Sequence, residues 1–188
     1  VTWFAEISAS THSIFLSSRR TGILKSPSIK LYVEIPKQVI GIIQKAGNSV
    51  NILTKGGMNA AEDFPILSGT GSKVGATLTF FNPQLSREWE HKAAVPRDRV
   101  AMLEKAKQMG IETWASIEPV IIPKESLWIM ELAIPYVDTF KIGKLNHHPL
   151  AKEIDWLQFI KDAEELCQRY GKKYVLKQDL LKLKEFPK

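Results

Sequence analysis

The sequence predicts an α/β fold, a partial (β/α) barrel of parallel strands, on three observations. Five short apolar runs recur along the chain. Stretches long enough for crossover helices separate them, and polar residues stand at or near the ends of the runs. The runs are Ile52–Lys55, Gly75–Phe80, Glu112–Glu118, Thr139–Leu145 and Lys173–Lys177. Repeated strand–helix units build either an open doubly wound sheet or a barrel, and both bind ligands at the carboxyl ends of the strands. Lys55, Thr79 and Glu118 fall at those ends.

Taken in order, residues 1–12 show no clear period, and Ser13–Leu16 reads as a first strand. Arg19–Lys30, rich in Ser, Gly, Pro and basic residues, reads as a loop. Tyr32–Lys45 carries Pro36 in its first turn and Val39, Ile40, Ile42 and Ile43 behind it, a helix pattern. Met58–Leu67 reads as a short helix interrupted by Pro65. Asn82–Pro96 reads as a long polar connection of the kind that covers a ligand. Pro96 then opens a helix whose Val100, Leu103, Ala106 and Met109 share a face, with Gly110 as its stop. Glu125–Tyr136 is the next helix, ended by Pro135. Ile154–Tyr170 is the longest, with Trp156, Leu157, Ile160, Ala163 and Leu166 expected along its buried stripe. A short basic tail closes the chain.

A chain of 188 residues with 44% hydrophobic residues suffices for one well-buried domain. No apolar run approaches the ~20 residues that span a bilayer, and no secretory leader opens the sequence. The single cysteine, Cys167, excludes a disulfide framework and a multi-cysteine metal site. These points predict a cytoplasmic protein without a membrane anchor. The net charge of +6 concentrates at the ends: residues 1–57 hold seven Lys/Arg against two acids, and residues 171–188 hold six against two. Such ends suit a polyanion, whose condensed counterions Lys and Arg displace, or simply a solvated surface.

A strand packed between helices is apolar on both faces, and two runs break that rule. Side chains alternate along a strand, so Thr77 and Thr79 share one face while Ala76, Leu78 and Phe80 take the other. Likewise Ser116 and Glu118 oppose Ala115 and Ile117. If the apolar faces meet the helices, the polar faces line an interior suited to a polar cofactor. Threonine also favours strands anywhere, Glu118 before Pro119 also suits a solvated strand end, and Lys55 before two glycines also suits a loop. Adjacent His147 and His148 diverge, which makes a poor metal site. Glu90 and Glu118 supply a carboxylate pair of the kind glycoside hydrolases use.

Three blocks together carry a resemblance: I-L-T-K-G; G-A-T-L-T-F with L-S-R-E-W-E and P-R-D-R-V downstream; and G-I-E-T-W-A-S-I-E-P-V-I-I-P. They resemble the later strands of radical S-adenosylmethionine proteins of the spore photoproduct lyase-like subgroup. The similarity runs from about Ile14 to about Lys177, and it holds in order and spacing over Ile52–Pro123. It implies a partial barrel in which a [4Fe–4S] cluster cleaves S-adenosylmethionine to a 5′-deoxyadenosyl radical. By the resemblance, Lys55 lies near the amino-acid end of that cofactor. Thr77, with Thr79 beside it, and Ser116 and Glu118 face the cofactor, and Arg87, Glu90 and Arg99 are structural or cofactor-adjacent.

The departure is large. The family's three-cysteine loop, C-x-x-x-C-x-x-C, holds the cluster after the first strand, and Cys167 stands far from any such place. The chain is therefore expected to be one incomplete domain over 1–188, with 1–30 poorly matched and the leading units missing upstream of Val1. It is expected to be inactive as it stands. The alternative from another class is a catalytically silent α/β domain that binds nucleic acid through its basic ends. The substrate stays open, nucleic acid among the candidates.

Overall fold

In the computed structural model, strand backbone is described for residues 2–9 and 12–19, and residues 37–185 are described in full. Strands β1 (Thr2–Ala9) and β2 (His12–Arg19) are followed by helix α1 over residues 37–45 and by β3 (Asn51–Thr54). A 3-10 helix over Gly57–Ile66 leads to β4 (Lys73–Thr77), then α2 (Pro83–Trp89), α3 (Pro96–Gln108) and β5 (Glu112–Val120). Then come α4 (Pro123–Ala133), β6 (Thr139–Lys144), α5 (Trp156–Arg169), β7 (Lys173–Leu176) and α6 (Gln178–Glu185).

The sheet order is β2-β1-β3-β4-β5-β6-β7. From β3 to β7 each strand lies parallel to the next in sequence, which bears out the α/β, partial-barrel expectation. Neighbours in sequence that are also neighbours in space, joined by crossovers of one hand, put their helices on one face of the sheet. That face is the core. Ile52, Val74, Ala76, Ala115, Ile117, Phe140, Ile142 and Leu176 line it and are all buried. Leu78 and Phe80 extend it past the end of β4 with no exposure at all.

The opposite face is different in kind. The register puts Lys73, Gly75 and Thr77 beside Glu112, Trp114 and Ser116. Trp114 and Ser116 in turn lie beside Thr139 and Lys141. Val175 on this face is 52% exposed, which marks it as the open side of the sheet. Gly75 is required there, because a Cβ would come within 2.3 Å of the Trp114 indole.

Four expectations change. Residues 1–12 hold a strand, β1, which pairs antiparallel with both β2 and β3, so Ser13–Leu16 belongs to an antiparallel hairpin. An isolated hairpin flank has no helix between its strands, and its period is easily missed over eight residues. The Asn82–Pro96 connection contains α2, which Asn82 caps by accepting from the Gln84 and Leu85 amides. The basic tail is helix α6, anchored by fully buried Leu180. In α1, Ile40 is buried while Ile42 points to solvent at 68% exposure. The loop read over Arg19–Lys30 lies outside the described residues from position 20 onward, as does Pro36.

Candidate functional site

The sequence-predicted residues Lys55, Thr77, Thr79, Ser116 and Glu118 fall into two groups at the carboxyl ends of β3, β4 and β5. Thr77 and Ser116 are register partners on the open face, and both are nearly buried. Glu118 follows on the same side of β5. Its carboxylate passes over Gly143 of β6 and pairs with Lys177 just beyond β7. A Cβ at position 143 would stand 2.5 Å from the Glu118 carboxylate, so glycine is what lets that side chain cross. Thr77, Ser116 and Glu118 thus form one polar row across two neighbouring strands, and the Glu118 side chain carries it over β6.

Lys55 and Thr79 join a second group, built around Glu90. The Lys55 ammonium lies 2.8 Å from one Glu90 oxygen, and the Thr79 hydroxyl 3.4 Å from the same oxygen. Arg99 lies 2.7 Å from the other, where Ser86 also donates at 3.1 Å. Arg99 is 1% exposed and also donates to the carbonyls of Ala94 and Thr77 and to the Ser86 hydroxyl. A buried guanidinium is stable only when its donors are largely paired, and here most of them are. Through Thr77 the second group is tied to the strand that carries the first.

Burial drives the Glu90 carboxyl upward, but the hydrogen bonds and charges of Arg99 and Lys55 outweigh it and hold the group below its ordinary range. A carboxylate fixed in that way is a poor general acid. Glu118 meanwhile pairs with Lys177 and takes no part in the Glu90 network. Arg87 is exposed and takes no part in the Glu90 network. The R-x-x-E element therefore contributes its glutamate, with Ser86 supplying the neighbour that sequence reasoning missed.

Glu125 is also a residue the sequence did not flag. It opens α4, and one of its oxygens accepts the Phe81 and Asn82 amides at 2.9 and 2.7 Å. Next to it, the Ser126 hydroxyl donates to the Thr79 carbonyl at 3.1 Å. The loop leaving β4 is thereby fastened to the helix after β5. The only signal in the sequence was an acid in a first helical turn, which is ordinary.

No group of three His, Cys, Asp or Glu side chains able to hold a metal exists among the described residues. Cys167 is buried on α5 against the core, and burial, with the charge of Glu164, pushes its thiol up to about 11. These residues do not fit an iron–sulfur cluster, which needs several converging thiolates. The Thr77–Ser116–Glu118 row does fit a polar organic ligand, offering two hydroxyls and a carboxylate. Among the described residues no helix is long and apolar enough to cross a membrane. Comparison with protein-family models, curated proteins and solved structures finds nothing that matches this chain.

Proposed function

We propose that this chain is the cofactor-binding, carboxyl-terminal portion of a radical S-adenosylmethionine enzyme, binding the sulfonium nucleoside on the open face of its sheet. The observation that carries the reading is the polar row of Thr77, Ser116 and Glu118 on parallel strands at their carboxyl ends. A ribose diol donates well to a carboxylate such as Glu118, and an amino-carboxylate suits hydroxyls and a nearby cation such as Lys55. When bound together with its cluster, such a cofactor supplies a 5′-deoxyadenosyl radical that abstracts hydrogen from substrate. The described residues offer no set of converging thiolates for that cluster, so the part proposed for them is to bind and orient the cofactor.

The test is calorimetric titration of the chain with S-adenosylmethionine. Removing one hydrogen bond to a bound polar group is expected to weaken affinity about tenfold, and T77V, S116A and E118Q should each do so. No saturable heat at millimolar cofactor, or affinity indifferent to all three changes, would overturn the proposal. A coding sequence upstream of Val1 that begins without a three-cysteine loop would leave cofactor binding and remove the radical chemistry.

A second reading, a silent domain that binds nucleic acid through its basic ends, draws support at the carboxyl end from Lys172, Lys173 and Lys182, which make no ion pair among the described residues. Lys177 is less free, being paired with Glu118. It calls for affinity that falls steeply with salt and drops when Lys172, Lys173, Lys177 and Lys182 are neutralised. Binding that is equal at low and high salt would dismiss it.

A further inference from the structure

Gly143 sits inside β6, where a glycine weakens a strand and calls for a reason. Its backbone supplies none, because its φ lies outside the left-handed region that favours glycine. Along β6 the side chains alternate: Phe140 and Ile142 are buried in the core, which turns Lys141 and Gly143 to the open face. The reason is the Glu118 side chain. A Cβ at position 143 would stand 2.5 Å from Glu118 Oε1, 2.7 Å from its Cδ and 2.9 Å from its Cγ. Everything in that side chain beyond Cβ therefore lies against the bare backbone of β6.

On the far side Lys177, the first residue past β7, pairs with Oε2. Oε1 accepts from none of the described residues. The Glu118 and Lys177 side chains are 29% and 45% exposed, so both are within reach of a ligand. An ion pair this open adds little to the stability of the fold. What it does is restrict where a long carboxylate points, and a group ordered before binding spares the ligand the cost of ordering it. Two residues back on the same face of β5 stands the Ser116 hydroxyl, with Thr77 as its register partner.

We propose that Gly143 and Lys177 are positioning residues for Glu118. Gly143 keeps the path over β6 clear, and Lys177 holds Oε2 at the end of that path. Oε1 is left facing the open side, where it accepts from the hydroxyls of a vicinal diol such as a ribose. A carboxylate has about four acceptor sites, so it serves the lysine and the diol together. The inference rests on the cofactor reading of the polar row and adds two residues to it.

The experiment is calorimetry with S-adenosylmethionine, adenosine and 2′,3′-dideoxyadenosine on the parent, Gly143→Ala, Lys177→Met and Lys177→Arg. The atoms that an alanine at 143 would meet belong to the end of a flexible side chain, so Glu118 swings aside and the melting temperature stays within a few degrees. Hydrogen bonds to a charged acceptor predict that the parent binds adenosine at least about tenfold tighter than its dideoxy analogue. Gly143→Ala and Lys177→Met should each reduce that preference to about threefold or less, as expected when the ligand must order the carboxylate itself. Lys177→Arg should keep most of it. In a Glu118→Ala background the added Cβ meets nothing, and Gly143→Ala should change nothing further. If Gly143→Ala melts far below the parent, Lys177→Met against Lys177→Arg carries the comparison. No saturable binding of S-adenosylmethionine by the parent overturns the cofactor reading and this inference together. Cofactor binding without a preference for the diol overturns the positioning roles alone. So does a preference that survives in Gly143→Ala and Lys177→Met, or an affinity that rises in Lys177→Met.

Discussion

Arg99 is the residue on which the carboxyl end of the sheet most depends. It is fully buried, and it bonds to β4, to the loop before α3 and to Glu90. Replacing it by methionine fills the volume but leaves the Glu90 charge buried with Lys55 alone. Stripping one partner from a buried ion pair costs about 3–5 kcal/mol, and urea denaturation of Arg99→Met should read a loss in that range. The double variant with Glu90→Gln should recover part of it, since the orphaned charge is gone. The same glutamate sets an acid dependence. Its folded pKa lies below the reference value of 4.5, so the unfolded chain takes up its proton first. The stabilisation is complete above that reference and fades as pH falls through the folded value. Stability measured from neutral pH down into this acid range should therefore decline less steeply in Glu90→Gln than in the parent.

At the level of elements, α2 and α6 show how short helices depend on single residues. Helix α2 is seven residues long, too short to persist on propensity, and Asn82 caps it with two amide bonds. Asn82→Ala should cost about 1 kcal/mol in chemical denaturation. Helix α6 is held by Leu180, and truncation of a fully buried leucine costs ~2–5 kcal/mol. Leu180→Ala should therefore raise hydrogen exchange across Gln178–Glu185 before it affects β4 or β5. Both helices escaped sequence reasoning for the same reason. Too few apolar positions fall within eight residues to reveal a period of 3.6. The longer α3 and α5, with buried Val100, Leu103 and Ala106 and with Trp156, Ile160 and Ala163, announced themselves clearly.

For the molecule as a whole, the singly wound order gives one sealed face and one open face. The sealed face holds Cys167, whose thiol is pushed up to about 11 by burial and by Glu164. A thiol that is both inaccessible and protonated does not react with disulfide reagents at neutral pH. Its rate of modification should therefore follow opening of the α5 region, slow in the native chain and rising with urea in parallel with unfolding. Fast stoichiometric reaction without denaturant would contradict the packing of α5 on the sheet. The open face carries the polar row of Thr77, Ser116 and Glu118 at the carboxyl ends of the strands.

Alternation along Gly75–Phe80 and Glu112–Glu118 was enough to separate a polar from an apolar face, because strand side chains have a period of two whatever surrounds them. The shared side of Thr77 and Ser116 followed from that local rule. What the sequence could not set were contacts across many residues: Glu118 reaching Lys177 over Gly143, Arg99 gathering Glu90 and Thr77, and Glu125 accepting the Phe81 and Asn82 amides. The pairing of β1 with β3 is of the same sort. Such partners are chosen by how the sheet twists and closes on itself, and no short window of residues records that geometry.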